Sequence, residues 1–313
     1  MDKTTTMSEA IARYVADGAT VALEGFTHLI PTAAGHEIIR QRRRGLTVVR
    51  MTPDIVTDQM IAADCVAKVV GAFVGNSSAG SLGELRRRVE AGTLELEECS
   101  HYGMICRYLA GAQRLPFYPL RSYAGSDLPR VNPGLRKVVS PYPGPDGGEP
   151  EQVYVVPPVH PDVTIIHAQR ADRRGNVQIW GLTGIQAEAV YAARHAVAVV
   201  EEVVDDAVVR ADPNRTAVPA HAIDAVVACP HGAHPSFAQG YYDRDNAFYR
   251  RWAGISKDPE RLKAWLEEYV LGTRDHAEYV AKLAADGTWD RLAVGSAPSG
   301  SIDYGRRLRK EHP

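Results

Sequence analysis

The sequence predicts an α/β protein, in which a mostly parallel open sheet carries helices on both faces and is joined by peripheral C-terminal helices. Three observations support this fold class. Short apolar runs alternate with amphipathic segments through the first part of the chain, which is typical of a parallel sheet. Apolar runs return after an interruption rich in Pro and Gly, and from Tyr241 onward aromatic and aliphatic residues recur at helical spacing.

The first part of the chain predicts repeated strand and helix units. It begins with an amphipathic helix, because Ile11 and Tyr14 fall on one helical face. The predicted elements that follow are, in chain order, a strand from Thr20 to Leu23, a helix from Ala33 to Arg43, a strand from Leu46 to Arg50, a helix that starts near Asp54 and a strand from Val66 to Val74. Asp is a common N-cap residue, so the Asp54 side chain is expected to cap its helix.

The second part predicts the rest of the sheet. The segment from Pro141 to Gln152 is so rich in Pro and Gly that we interpret it as a surface loop that leaves the sheet. Gly175-Asn176 predicts a hairpin-like turn. The apolar runs expected to complete the core sheet are VYVVP at Val153, VTIIHA at Val163, AVAVVEEV at Ala196 and DAVVA at Asp224.

The end of the chain predicts helices and then a tail. The segments FYRRW, ERLKAWLEEYV and HAEYVAKLA have helical spacing, whereas residues after about Ser296 have the composition of a tail. We therefore expect one domain over residues 1–290 and a C-terminal tail over residues 291–313.

The composition is that of an ordinary globular enzyme. Hydrophobic residues make up 45% and charged residues 24% of the 313 residues. The 36 basic and 38 acidic side chains give a formal net charge of -2, so no nucleic acid or membrane partner is expected. The N-terminus lacks the features of a signal peptide, and the cysteines are scattered. These features predict a cytoplasmic protein with reduced thiols.

Familiar cofactor and metal motifs are missing. The sequence has no Walker loop, no HExxH, no paired CxxC and no GxGxxG after a strand. His231 and His234 lie three residues apart, but their segment offers no further ligands. We expect no metal and no permanently bound cofactor.

Two loops at the carboxyl ends of predicted strands are candidate binding sites, because ligands lie there in open parallel sheets. In the first, residues 24–37, Gly25 lets backbone amides face an anion or a thioester, and the next helix start adds partial positive charge. In the second, residues 75–90, Asn76 and Ser77 can donate to a carboxylate. The first loop is also compatible with a plain strand-to-helix turn, and the second with a helix cap.

Other polar residues have both a functional and a structural interpretation. Arg50 and Arg107 could each hold a carboxylate at two points, or could form structural ion pairs. His167 follows an apolar strand, which favours a buried, hydrogen-bonded histidine. Glu201 ends another strand, where a catalytic carboxylate or an ion pair could lie.

Over nearly its whole length the chain resembles the A subunits of family I CoA-transferases. DGATVALEGF is similar to the family's N-terminal signature, although Glu24 replaces a glycine and THLIP lacks a later one. VALEGFTHLIPTAAGHE, VRMTPD, YAGSDLPRVNP and PDVTIIHAQRADRRGNVQIWG are similar to A subunits of 3-oxoadipate CoA-transferases. RADPNRTAVP, DAVVACPHGAHPS and GYYDRDNAFY resemble the A subunit of glutaconate CoA-transferase. The resemblance implies the NagB/RpiA-like fold of this family.

The resemblance also implies how the work is divided between subunits. In this family a glutamate on the β (B) subunit attacks the acyl-CoA and becomes a CoA thioester, so no catalytic residue is expected in this chain. The corresponding segment here starts at Arg50 and has no carboxylate before Asp54. The partner would be a β subunit, in an α2β2 heterotetramer. The residues expected in the substrate and oxyanion loops are Gly25, Phe26, Thr27, His28, Asn76 and Ser77, with Arg50 and Arg107 as the carboxylate grip.

The substrates implied by the resemblance are a CoA thioester and a short dicarboxylate. Succinyl-CoA is the expected donor, and 3-oxoadipate from bacterial aromatic catabolism (the β-ketoadipate pathway) is the best single acceptor. Glutaconate is an alternative acceptor. GAQRLPFYPLRS also resembles steroid-ring-cleaving hydrolases, but these carry a glutamate where SHYGM has Tyr102. A binding or regulatory module without turnover is a further alternative.

Overall fold

The computed structural model describes residues 1–76 and 79–295. The strands in these residues are β1 (Thr20–Glu24), β2 (Leu46–Arg50), β3 (Val66–Gly71), β4 (Glu95–Glu98), β5 (Tyr118–Leu120), β6 (Arg136–Val139), β7 (Gln152–Val156), β8 (Val163–Asp172), β9 (Val177–Gln178), β10 (His195–Val204), β11 (Thr216–Val218) and β12 (Ala225–Ala228). The α-helices are α1 (Met7–Tyr14), α2 (Thr32–Arg40), α3 (Ile55–Ala62), α4 (Gly83–Glu90), α5 (His101–Ala112), α6 (Leu128–Val131), α7 (Gln186–Ala192), α8 (Asp206–Ala211), α9 (Asn246–Lys257), α10 (Pro259–Leu266), α11 (His276–Ala285) and α12 (Thr288–Leu292).

Seven strands run parallel in one open sheet, in the order β12-β10-β8-β1-β2-β3-β4. In the central strand β1, Val21 is in register with Val48 of β2 and with Val163 of β8. β8 and β10 continue beyond β1. The short strand β9 pairs antiparallel with this extension of β8, and β11 pairs antiparallel with β9. The predicted mostly parallel sheet is confirmed. Its strands bring their carboxyl ends to one edge.

Helices cover both faces of this sheet, which explains why its central strands are apolar along most of their length. Successive residues of β1 point to opposite faces. Val21 and Leu23 join the core that includes α1, α2 and α3, whereas Ala22 joins a second core with Met104 and Tyr108 of α5. The central strands are therefore fixed from both sides.

The C-terminal helices form an outer layer that packs on α2, α3 and α4. Trp252 of α9 and Trp265 of α10 are buried in the main core. Asp58 of α3 joins the layers, because its buried carboxylate accepts hydrogen bonds from Leu85 N (2.9 Å), Trp252 Nε1 (3.1 Å) and the Ser256 hydroxyl. The predicted peripheral helices are thus present and firmly attached.

The prediction that the run at Val153 belongs to the core sheet is wrong. Strand β7 pairs antiparallel with β5 and β6 in a separate three-stranded sheet. An apolar run predicts a strand but does not identify its pairing partner. Residues 141–151 connect β6 to β7 and are mostly exposed, as the Pro and Gly content predicts.

Two details of the first part also differ from expectation. β3 ends at Gly71 rather than at Val74. Asp54 precedes α3, but its side chain makes no capping hydrogen bond. It forms an ion pair with Arg50 instead, because Arg50 ends the neighbouring strand and needs a buried partner.

The division between a domain and a tail at residue 291 stays a prediction. Helix α12 runs across this boundary, and Leu292 is buried there. Residues 296–313, most of the predicted tail, lie outside the described residues. Among residues 1–76 and 79–295, no helix combines the length and apolar character that crossing a membrane requires.

Candidate functional site

The loop after β1 has an unusual backbone. Thr27 and Leu29 have φ angles of 56° and 55°, in the left-handed region that few residues other than glycine adopt. At Gly25 a Cβ would lie 2.2 Å from the carbonyl oxygen of Leu29. The end of the loop is anchored, because Leu29 N donates to Phe237 O over 3.0 Å. Strained conformations of this kind persist where surrounding structure fixes a functional loop.

Arg50, the last residue of β2, ties this loop to the sheet. Its buried guanidinium donates to the carbonyl oxygens of Gly25 (3.1 Å) and Thr52 (2.8 Å) and pairs with Asp54 (3.2 Å). Burial raises the pKa of the Asp54 carboxyl, and the Arg50 charge opposes that rise. The remaining nitrogen, Arg50 Nη1, is buried and has no hydrogen-bond partner in the described residues. Arg50 therefore holds the loop in place and still has one nitrogen available to donate a hydrogen bond.

A cavity of about 180 Å³ lies at the carboxyl ends of β1, β2 and β3. Its inner wall consists of five buried residues, Arg50, Asp54, Gly75, Asn76 and Tyr249. The other lining residues are half-buried or exposed and are Phe26, Thr27, Thr52, Phe73, His101 and Arg244. The two exposed ones, Phe73 and His101, mark the mouth of the cavity. The Thr52 hydroxyl and His101 Nε2 are 3.0 Å apart at this mouth.

Several polar atoms around the cavity are buried and lack a hydrogen-bond partner among residues 1–76 and 79–295. They are both amide atoms of Asn76, Arg50 Nη1, Asp54 Oδ1 and Arg244 Nε. Buried polar groups in folded proteins nearly always have partners, because an unsatisfied one costs about 1–3 kcal/mol. Guanidinium and amide donors gathered at one cavity suit a small ligand that carries a carboxylate.

A larger surface depression, of about 590 Å³, lies between residues 1–14 and 221–225. Within the described residues, none of its lining side chains has a buried polar atom without a partner. It therefore lacks the feature that distinguishes the smaller cavity.

Glu24 lies behind the β1 loop and does not line the cavity. Its Oε1 atom accepts hydrogen bonds from the Tyr108 hydroxyl (2.7 Å) and from Met51 N (2.8 Å). Burial raises the pKa of this carboxyl to about 7, although the charge of Arg50 opposes the rise. Glu24 therefore joins β1, β2 and α5 beneath the loop and titrates near neutral pH.

The Glu24 carboxyl makes the stability of the protein depend on pH. The folded chain keeps this proton up to about pH 7, whereas an unperturbed glutamate loses it near 4.5. The stabilising free energy from this raised pKa is therefore fully present below pH 4.5 and is lost as the pH rises through 7. The loss is about 3 kcal/mol at most. We expect the unfolding free energy of wild type to fall relative to that of Glu24→Gln as the pH rises from about 4.5 to 7, because glutamine does not titrate. Urea denaturation of both proteins at several pH values measures this change. Parallel curves for the two proteins would contradict the assignment.

The structure brings together four of the predicted site residues. Phe26, Thr27, Arg50 and Asn76 all line the cavity. Gly25 lies behind it and shapes the loop, whereas Ser77 lies outside the described residues. The roles of these residues stay predictions.

The side chains of His28 and Arg107 are turned to structural contacts. His28 Nδ1 donates to Leu182 O (2.8 Å), its Nε2 accepts from Gln239 N (2.9 Å), and burial lowers its pKa to about 4. The buried Arg107 guanidinium pairs with Glu97 over 2.5 Å. Neither residue lines the cavity. The structure therefore gives no support to a substrate contact by His28 or to carboxylate binding by Arg107. The sequence shows that these side chains are polar or charged, but it does not show which residues they pair with.

Glu201 and His167 belong to a buried network away from the cavity. His167 Nε2 lies 2.7 Å from Glu201 Oε1, which also accepts from the Tyr242 hydroxyl at 2.7 Å. Glu201 Oε2 accepts from His231 N at 2.6 Å. This favours the structural interpretation of both residues. In the described part of the chain, no group of three or more His, Cys, Asp or Glu residues is placed to hold a metal ion.

The lining residues that sequence reasoning missed include Arg244 and Tyr249, which come from the segment that starts α9. The Arg244 guanidinium lies over the Tyr249 ring, 3.8 Å from its centroid. Asp245 fixes the segment by capping α9, since its Oδ1 accepts from Phe248 N at 2.8 Å. The only signal in the sequence was the resemblance of GYYDRDNAFY, which indicated no contact with β2.

The fold and this cavity define an α/β protein of the class that binds small ligands at the carboxyl edge of a parallel sheet. The coenzyme A transferase family matches residues 4–229 of the sequence. The chain therefore belongs to the coenzyme A transferase family, and the predicted family is confirmed.

Known relatives support this membership over nearly the full length. The chain is 51% identical to the A subunit of 3-oxoadipate CoA-transferase from Pseudomonas knackmussii, over 89% of this chain and 97% of that protein. It is 35% identical to the A subunit of glutaconate CoA-transferase from Acidaminococcus fermentans, over 91% of this chain and 93% of that protein. The crystal structure of glutaconate coenzyme A-transferase from Acidaminococcus fermentans superposes with a TM-score of 0.87 at 33% identity, covering 93% of this chain and 96% of that one.

Proposed function

We propose that this chain is the α (A) subunit of a heteromeric CoA-transferase that moves CoA from succinyl-CoA to 3-oxoadipate. The similarity to a protein named as the A subunit of 3-oxoadipate CoA-transferase supports the acceptor. The observation that carries the proposal is the cavity itself, where buried Arg50 and Asn76 have donors without partners in the described residues. Such donors favour a small acid as the ligand.

The nucleophile is proposed to come from a β (B) subunit. Among the described lining residues the one acidic side chain is Asp54, and its carboxylate is paired with Arg50. Glu24 is buried behind the loop and is held by Tyr108 and Met51. Neither carboxylate is free to attack a thioester, which supports an attacking glutamate that reaches the cavity from another chain.

In the proposed reaction, a glutamate of the partner subunit carries CoA between the two acids. The partner's glutamate attacks the thioester carbonyl of the acyl-CoA, so that the CoA thiolate leaves and a mixed anhydride forms. The thiolate then attacks the glutamyl carbonyl, which releases the donor acid and leaves a glutamyl-CoA thioester. The acceptor carboxylate repeats the two steps in reverse and departs as its CoA thioester. Each attack places negative charge on a carbonyl oxygen, which backbone amides of the loop at Gly25–His28 are proposed to stabilise.

This chain is proposed to hold the acid part of the substrates. A cavity of about 180 Å³ is smaller than the 300–1,000 Å³ or so that drug-sized ligands occupy, so the nucleotide of CoA would lie outside it. Phe73 at the mouth is 50% exposed, which suits a surface that a partner covers. We propose an α2β2 assembly with CoA thioesters as substrates and no resident cofactor. The four buried, unpaired cysteines support a cytoplasmic location.

A transfer assay tests the proposal. This chain is produced together with a candidate B-type subunit, and succinyl-CoA is mixed with 3-oxoadipate. We expect 3-oxoadipyl-CoA to form only when both subunits are present, with slower transfer to glutaconate. Hydrolysis of succinyl-CoA at the same rate without an acceptor acid would contradict a transferase.

Two alternatives are separated by the same assay. Faster transfer to glutaconate than to 3-oxoadipate would favour the glutaconate enzyme, whose A chain is 35% identical to this one. The ring hydrolases carry a glutamate where this chain has Tyr102, which lies 51% exposed in the first turn of α5. A tyrosine there supplies no carboxylate, which favours transfer over hydrolysis.

A further inference from the structure

We propose that Arg244 is a specificity-determining residue, which binds the remote carboxylate of a dicarboxylate substrate together with Asn76 and Arg50 Nη1. The inference rests on the proposed function and deepens it. It assigns to this chain the discrimination between dicarboxylic and monocarboxylic acids.

Arg244 is held in place without using up its charge. Its guanidinium stacks on Tyr249 at 3.8 Å, and its Nη1 donates to the neutral Asn246 side chain at 3.3 Å. The next residue, Asp245, fixes the backbone at this point, since it caps α9 and its carboxylate lies 3.2 Å from His234 Nε2. Arg244 Nε is buried and has no partner within the described residues. The side chain is therefore preorganised and still has a donor available.

The charges around the cavity leave room for one carboxylate. Arg50 and Asp54 pair with each other at 3.2 Å. The side-chain contacts of Arg244 are with the neutral residues Asn246 and Tyr249. The Arg244 charge also acts on Asp54, where it opposes the rise of that carboxyl's pKa. Two guanidinium groups therefore share one carboxylate, so a carboxylate bound in the cavity would meet one excess positive charge and donors of Arg50 and Asn76 that are already desolvated.

The positions of these groups in the cavity indicate where the reacting carboxyl and the remote carboxyl of the substrate lie. Arg50 and Asn76 are 1% and 2% exposed and form the inner wall, whereas the exposed Phe73 marks the mouth. A nucleophile from another subunit must approach from the mouth, so the reacting carboxyl lies there. The remote carboxyl then lies inside, where a methyl group would leave the buried donors unsatisfied.

A matched pair of acceptors tests this inference in the complex of both subunits. 3-Oxohexanoate has the chain length of 3-oxoadipate but a methyl group in place of the remote carboxylate. We expect Arg244→Met, which keeps an unbranched side chain over Tyr249, to lower kcat/KM for 3-oxoadipate by about 10- to 100-fold. The value for 3-oxohexanoate should change by no more than about threefold, because that acid lacks the group that Arg244 binds.

Arg250→Met is the matched control. Arg250 lies on the exposed surface of α9, outside the residues that line the cavity, so both acceptors should react as in wild type. Equal losses for both acceptors in Arg244→Met, or no loss for either, would overturn the inference.

A binding measurement separates this inference from the proposed function. Titration calorimetry with adipate, in the absence of any CoA thioester, needs no turnover. Binding to the wild-type complex that Arg244→Met weakens at least about tenfold supports the inference even if the complex transfers no CoA. No binding to wild type, or equal binding to both proteins, would overturn it.

Discussion

Replacing Gly25 with alanine is expected to lower transfer activity by about 100-fold and to destabilise the chain by about 1–3 kcal/mol. The added Cβ would stand 2.2 Å from the Leu29 carbonyl oxygen, far inside contact distance. Leu29 cannot move away easily, because its amide is bonded to Phe237 O. The strain must therefore pass into Phe26 and Thr27, which line the cavity.

Gly254 supplies the control for this substitution. It lies within α9, and a Cβ there would meet no atom within 4 Å. Gly254→Ala should leave activity unchanged and stabilise the chain by about 0.5–1 kcal/mol. Steady-state kinetics and urea denaturation of both variants check the prediction. Wild-type kinetics in Gly25→Ala would show that the loop conformation has no bearing on transfer.

Replacing Arg50 with methionine is expected to cost about 3–5 kcal/mol of stability and to abolish transfer. The variant would leave the Asp54 carboxylate buried without its partner and would free the Gly25 carbonyl from the sheet. It would also remove Arg50 Nη1, a buried donor of a cavity-lining residue that has no partner among the described residues.

The double variant Arg50→Met/Asp54→Asn separates these two roles. Removing the buried negative charge as well should restore a large part of the lost stability, because the unpaired carboxylate is the main cost. Activity should stay absent, since the cavity still lacks its donor. Urea denaturation and the transfer assay measure the two properties. Recovery of activity in the double variant would show that Arg50 acts only as a structural tie.

The sequence predicted the parallel core because that core follows from local pattern. The runs at Thr20, Leu46 and Val163 are apolar along their length, as strands covered on both faces must be. The run at Val153 has the same character but pairs elsewhere, in the small antiparallel sheet. Pairing depends on contacts distant in sequence, which periodicity does not encode.

The site was predictable only where it coincides with the ends of strands. Phe26, Arg50 and Asn76 follow or end β1, β2 and β3, so topology alone brings them to one edge of the sheet. Arg244 reaches the same cavity from the start of α9, through a helix cap and a packed outer layer. Arg107 has a suitable charge but satisfies it with Glu97.

The covalent glutamyl-CoA intermediate is proposed to form on the β subunit and not on this chain. The complex of both subunits can be incubated with succinyl-CoA and each polypeptide weighed by mass spectrometry before and after addition of an acceptor acid. We predict that the β subunit gains the mass of CoA less one water, as a thioester requires, and loses it when 3-oxoadipate is added, while this chain keeps its mass. CoA attached to Asp54 or Glu24 of this chain would contradict the account.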